Sequence, residues 1–186
     1  MSYLKADLKR YFRKSPNFYH KLKTVLLTQG IWATIIYRAG SWCHNRKGKY
    51  FWIRVILPFL TILQKIVEIT TGIVLPFTAK IGKGLYIGHF GGIILGPQTV
   101  MGEYCNISQG ITIGQAGRAG VQETPVIGDR VYIAPGAKIF GGITIGNDVA
   151  IGANAVVTKD LPDNAVAVGI PAKIINYNGS KDFVIF

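Results

Sequence analysis

Of the three histidines in this chain, only His89 has surroundings that could put an imidazole to chemical use. It follows Gly88 in the run IGHFGGIIL, outside the N-terminal part that holds the other two. An imidazole with its ordinary pKa of about 6.5 keeps a neutral base available at pH 7, which suits proton transfer. His20 and His44 fall in an N-terminal helical part and read as surface or interface residues. A second reactive stretch is GQAGRAGVQETPV. Gly114, Gly117 and Gly120 make it pliable enough to approach a ligand or a neighbouring chain, and Arg118 and Glu123 are its only charges. The two cysteines, Cys43 and Cys105, are too few for a disulfide framework, and no CxxC or His-rich cluster suggests a metal site.

These residues need a scaffold, and a six-residue beat supplies it. Aliphatic residues recur at Ile81, Ile87 and Ile93, restart two places late at Leu95, Met101, Ile107 and Ile113, and return from Ile127 to Val157. Companion positions two residues earlier include Ala79, Leu85, Cys105, Val131, Ala137 and Val149. A helix repeats near 3.6 residues and a lone strand near 2, so this period fits neither. Three such units make a triangular coil of about 18 residues, and stacked coils form a parallel β-helix. The inward aliphatics should stack one coil apart: Ile127 over Ile145, Ile133 over Ile151, Ile139 over Val157. The glycine that follows many of them is expected to supply a sharp turn. Two irregularities break the beat: two extra residues between Ile87 and Leu95, and 14 residues between Ile113 and Ile127 where a multiple of six would be 12.

The N-terminal third differs in kind. Residues 1–70 hold 13 Lys and Arg against two acids, Asp7 and Glu68, whereas 71–186 are nearly balanced. FWIRVILPFLTILQKIVEIT places Arg54, Thr61, Lys65 and Glu68 on one narrow helical face, with apolar residues around the rest. Its charges argue against a spanning helix, since each costs about 2.5–3.5 kcal/mol near the bilayer centre. TVLLTQGIWATIIYRAGSW reads as a similar, shorter helix, and CHNRKGKYFW between them mixes cations with aromatics. Such a region either packs within an oligomer or rests on an anionic membrane surface. Met1 to His20 shows no secretory signal, and no nucleic-acid motif accompanies the basic charge. The chain therefore reads as cytoplasmic, with peripheral contact at the cytoplasmic face of the membrane as one arrangement. The expected units are 1–72 (basic helical region), 73–175 (β-helix) and 176–186 (tail).

The stretches TGIVLPFTAKIGKGLYIGHFGGIILG, ITIGQAG, IGDRVYIAPGAKIFGGITIGNDVAIGANAVVTKDLP and VGIPAKI resemble the serine O-acetyltransferase branch of the hexapeptide-repeat acyltransferases. That resemblance implies a left-handed parallel β-helix preceded by α-helices. It further implies a homotrimer or a dimer of trimers, with acetyl-CoA lying between adjacent chains. His89 matches the family's catalytic histidine, which takes the proton from the acceptor hydroxyl. Gly114, Ala134 and Gly152 are the expected backbone contacts to CoA. Arg118, Lys159 and Lys173 are the expected cations for its phosphates, and Glu123 and Thr124 the acceptor-side residues. No metal is implied.

The departures from the pattern bear on the acceptor. Where the family has Asp directly before the histidine, this chain has Gly88, and the orienting Asp of its opening motif falls on Val74. The family's Arg-His pair before a proline falls on Glu123-Thr124 before Pro125. Those charged groups hold a free amino acid, so their loss points toward a neutral acceptor, such as a sugar hydroxyl of a surface polysaccharide or lipid-linked glycan. The alternatives are a serine acetyltransferase with a rearranged site and a non-catalytic assembly subunit.

Overall fold

The computed structural model describes residues 2–13, 17–117 and 123–184, and in them the beat becomes a parallel β-helix with three sheets. The first sheet stacks β1 (Ile73–Val74), β4 (Ile93–Leu95), β7 (Thr112–Gly114), β10 (Lys138–Phe140) and β13 (Val156–Val157). The second stacks β2 (Lys80–Ile81), β5 (Val100–Met101), β8 (Val126–Ile127) and β11 (Thr144–Ile145). The third holds β3 (Tyr86–Ile87), β6 (Asn106–Ile107), β9 (Tyr132–Ile133), β12 (Ala150–Ile151), β14 (Val166–Val168) and the antiparallel β15 (Lys173–Asn176). The expected columns form in register: Ile127 with Ile145, Ile133 with Ile151, Ile139 with Val157. Strands this short hold few ladder bonds, so the inward columns carry the stability, at about 1.5–3 kcal/mol for each large buried aliphatic. Cys105 belongs to this core. Burial pushes its thiol up to about 12, which leaves no thiolate for chemistry at neutral pH.

The glycines do a different job from the one expected. Gly82, Gly102 and Gly128, each directly after an inward aliphatic, do not turn the chain with positive φ. A Cβ at Gly82 would lie 2.5 Å from the backbone of Gly102, and one at Gly102 would lie 2.6 Å from that of Gly128. Close approach between coils is what excludes a side chain there. The left-handed corner comes two residues later, at Gly84 (φ 77°), Tyr104 (57°), Arg130 (55°) and Asp148 (56°). At Arg130 a two-pronged ion pair to Asp148, 2.6 Å on each arm, holds the corner.

Both irregularities have a structural cause. β4 turns Ile93 and Leu95 inward and Ile94 outward, with Ile93 paired to Ile73 and Leu95 to Ile113, so the beat restarts within one strand. The long interruption is larger than the count suggested. β7 is followed in the coil directly by β8, so 14 residues replace a single six-residue step, an excursion of about eight residues rather than two.

Among the described residues four helices precede the coil: α1 (Tyr3–Phe12), α2 (Phe18–Leu27), α3 (Gln29–His44) and α4 (Ile53–Thr71). The segment read as one helix from Thr24 to Trp42 is broken at Thr28, whose backbone is extended (φ −112°, ψ 101°). The break lets Gly30 approach the β-helix closely enough that a Cβ would meet Ile87 at 2.8 Å. A β-helix has an open first coil with unpaired backbone groups, which invites edge-to-edge association. Here α1 and α3 cover it with side chains. Tyr37 Oη donates to Ala79 O (2.7 Å) and accepts from Ile81 N (3.2 Å), and Tyr11 Oη accepts from Ile87 N (2.8 Å). Arg38 donates to Ile81 O and Gly82 O, both at 2.6 Å, and Asp7 accepts from Leu85 N at 2.8 Å. Residues 176–184 lie along the third sheet: Asn106 Nδ2 donates to Phe183 O at 2.8 Å, and Phe183 stacks on Tyr132.

Gly40 tests the contact between α3 and the coil. A helical Gly→Ala change ordinarily stabilises by about 0.5–1 kcal/mol. At this position the new Cβ would lie 2.1 Å from the buried Phe77 ring. Gly40→Ala is therefore expected to destabilise by about 1–3 kcal/mol, read from the denaturant midpoint. Unchanged or raised stability would show that the ring can step aside.

Candidate active site

β3 ends in a last ladder bond from Gly88 N to Ile107 O (3.0 Å), and the chain then swings out through His89 and Phe90. It returns through Gly91 (φ 96°) and Gly92 (φ 65°), backbone angles that bulky residues resist. His89 is exposed and has no hydrogen-bond partner among the described residues. Gly110 N donates to Gly91 O at 2.8 Å, which ties this turn to the next coil. Along the same corner, between the third and first sheets, stand Gly72, Gly92, Gly110 and Gly136. A Cβ on each of the first three would touch the backbone of the next at 3.0–3.4 Å. From Gly72 to Gly110 this corner thus presents a column of bare backbone beside His89, against which a slender ligand could lie, and at Gly136 the Asn154 side chain closes in.

Ala134 and Gly152 continue this corner, one coil apart, but their N–H groups are not open to a ligand. Ala134 N donates to Ile151 O (2.9 Å) and Gly152 N to Ala167 O (2.8 Å). Only their carbonyls, which accept longer turn bonds of 3.3 and 3.2 Å, retain hydrogen-bonding capacity. Gly114, Glu123 and Lys159 lie on the opposite edge of the first sheet. Gly114 sits against the Phe140 ring, and Lys159 is exposed in the turn after β13. The feet of the long loop pair there, Ala116 N to Glu123 O at 3.2 Å and Glu123 N to Ala116 O at 3.3 Å. The Glu123 carboxylate packs where a Cβ on Gly142 would be. Arg118 lies outside the described residues. Lys173 is exposed at the start of β15. One chain therefore divides the expected residues between two edges of a sheet three residues wide, about 10 Å.

Two groups near His89 escaped the reading of the sequence. Lys138 Nζ donates to Gly110 O and lies 3.2 Å from Thr112 Oγ1, which places an ammonium on the histidine's corner. Gln109, directly before Gly110, has a buried Oε1 without a partner among the described residues, and Thr124 Oγ1 on the other edge is in the same state. Buried polar atoms are rarely left unpaired, so both mark places where a ligand or another chain could supply a donor. The signal for Lys138 was a cation on an outward strand position in GAKIF; that for Gln109 was a long amide at a glycine corner.

This fold and corner define a hexapeptide-repeat transferase, and residues 124–159 match the bacterial transferase hexapeptide (six repeats) family. Over 172 residues the chain is 38% identical to a serine acetyltransferase of Helicobacter pylori, covering 92% of this chain and 96% of that protein. The crystal structure of Neisseria gonorrhoeae serine acetyltransferase superposes with a TM-score of 0.78 at 30% identity, over 94% of this chain and 64% of that one. The chain thus spans less than two thirds of the Neisseria protein. A Brucella abortus serine acetyltransferase in complex with coenzyme A superposes with a TM-score of 0.78 at 28% identity, over 95% of this chain and 68% of that one. The chain belongs to the serine acetyltransferase family, CoA-dependent O-acetyltransferases built on a left-handed parallel β-helix.

Proposed function

We propose that this chain transfers the acetyl group of acetyl-CoA to the hydroxyl of free L-serine. The observation that carries this reading is the 38% identity with the Helicobacter enzyme across 96% of that enzyme's length. It replaces a sugar hydroxyl as the leading acceptor, because the Helicobacter and Neisseria relatives are serine acetyltransferases. His89 takes the proton from the acceptor hydroxyl as its oxygen attacks the thioester carbonyl. The tetrahedral intermediate then collapses, the C–S bond breaks, and the imidazolium returns the proton to the departing CoA sulfur. Acetyl-CoA lies along this glycine-lined corner, with Arg118, Lys159 and Lys173 as cations for its phosphates. The catalytic unit is a homotrimer, in which the long loop of one chain meets His89 of the next. That assembly joins the two sheet edges that a single chain holds apart.

One observation favours a neutral hydroxyl, such as that of a sugar, as a second reading. Val74, Gly88 and Thr124 offer no charge to an amino acid, and Glu123 is an anion where a carboxylate would need a cation. Steady-state kinetics with L-serine and with neutral sugar acceptors separates the two. A kcat/KM for serine of about 10⁴ M⁻¹s⁻¹ or above supports the first reading. Turnover of a sugar about 10⁴-fold or more ahead of serine, the scale on which sites built from polar contacts discriminate, favours the second. CoA binding without turnover of any acceptor would make the chain a non-catalytic member.

A further inference from the structure

Between Asp7 and Glu68 the chain has no acidic residue and twelve Lys and Arg. α3 and α4 form a hairpin laid on the β-helix, with Gly30 of α3 against Ile87, Gly40 against Phe77, and Gln64 Nε2 of α4 donating to Leu75 O at 2.9 Å. The hairpin's tip carries Arg46, Lys47 and Lys49, all exposed. Around them Trp42 stacks on Trp52, and Tyr50 on Trp52, each at 5.8 Å. The Arg46 guanidinium lies 4.6 Å over Trp42 and Lys49 Nζ lies 5.5 Å over Tyr50, so cations and rings form one surface. Phe51 is 79% exposed, and from it an apolar stripe descends the outer face of α4 through Val55, Phe59, Ile62, Ile66 and Ile69, all 50–77% exposed. Beside the stripe runs an open groove lined by Lys47, Gly48, Arg54, Leu57, Pro58 and Thr61, with two cations and no acid.

We propose that this surface docks the protein on an anionic lipid bilayer. α4 lies in the membrane plane with its stripe among the acyl chains, and the groove takes a lipid phosphate between Lys47 and Arg54. A stripe of this size calls for a cover. A second copy meeting it face to face would have to answer Arg46, Lys47, Lys49 and Arg54 with the one acid of this helix, Glu68. That carboxylate is mostly buried and already paired with Lys65, so the contact would leave like charges facing one another at a cost in affinity. Anionic headgroups supply the missing charge. The helix lies on the membrane and does not cross it, because none of the described helices is long and apolar enough to span.

Co-sedimentation of the full chain with phosphatidylcholine vesicles, and with vesicles half phosphatidylserine, tests this. Pelleting is expected with the anionic vesicles alone and should weaken in about 0.5 M salt, where screening falls to a few ångströms. Replacing Arg46, Lys47 and Lys49 together by Gln should weaken partitioning on the order of 100-fold, about fivefold for each charge. Phe51→Ser should weaken what salt leaves behind. Acetyl transfer in free solution should be unchanged in both variants, because the start of α3, at Gly30, packs on Ile87 beside His89, whereas the tip follows the helix's other end at His44. Equal pelleting with neutral and anionic vesicles, or none with either, overturns the proposal. So does splitting of the oligomer by Ile62→Asp and Ile66→Asp on a sizing column, which would show that a second copy covers the stripe.

Discussion

His89→Ala is expected to lower kcat about 10²–10⁴-fold, the range of a positioned acid–base group, while CoA affinity and thermal stability stay at wild-type values. The separation follows from the geometry. His89 is exposed, makes no hydrogen bond among the described residues, and is held out on a turn whose shape is set by Gly91 and Gly92. Truncating it removes no packing and leaves the Gly110–Gly91 bond intact. A fall in kcat with KM unchanged would place the imidazole's contribution in the transition state. Full turnover in this variant would remove His89 from the mechanism and direct attention to Lys138 on the same corner.

Asp7→Ala should cost about 3–5 kcal/mol of stability, the penalty for breaking a buried ion pair from one side. Asp7 has no exposed side-chain surface. It accepts from Arg38 Nε at 2.8 Å and Arg38 Nη2 at 3.1 Å, and from Leu85 N. Its loss strands a largely buried guanidinium and an unpaired amide at once, and uncaps the first coil. Asp7→Asn tells the two effects apart. It keeps an acceptor for Leu85 N while removing the charge, so it should fall between wild type and Asp7→Ala in a denaturant titration. Less than about 1 kcal/mol lost in Asp7→Ala, the range of an exposed pair, would show that α1 does not cap the coil.

Much of the coil was legible because its code is local. An inward aliphatic every six residues states both the strand and the stacking partner, so the registers at Ile127, Ile133 and Ile139 could be read directly. What misled was reasoning from one residue's own backbone. Gly82 and Gly102 were expected to turn the chain, but their constraint comes from the next coil, at Gly102 and Gly128 respectively. The cap at the first coil was invisible for the same reason: Asp7 and Leu85 are 78 positions apart, and nothing in α1 announces its partner. His89 stood out because it interrupts the beat. Lys138 and Gln109 keep the beat and so carried no mark, although the structure sets both beside the same turn. The helical break at Thr28 was missed because hydrophobic pattern continues across it, and only docking of Gly30 on Ile87 demands it.

The central claim is acetyl transfer to serine, and its most direct measurement is the identity of the product. The protein is incubated with acetyl-CoA carrying an isotope-labelled acetyl group and with free L-serine, and the small molecules are resolved by mass spectrometry alongside His89→Ala. The expected result is labelled O-acetylserine formed in step with free CoA, and suppressed in the variant by the same factor as kcat. Release of CoA without labelled O-acetylserine, or equal labelling by wild type and variant, would contradict it.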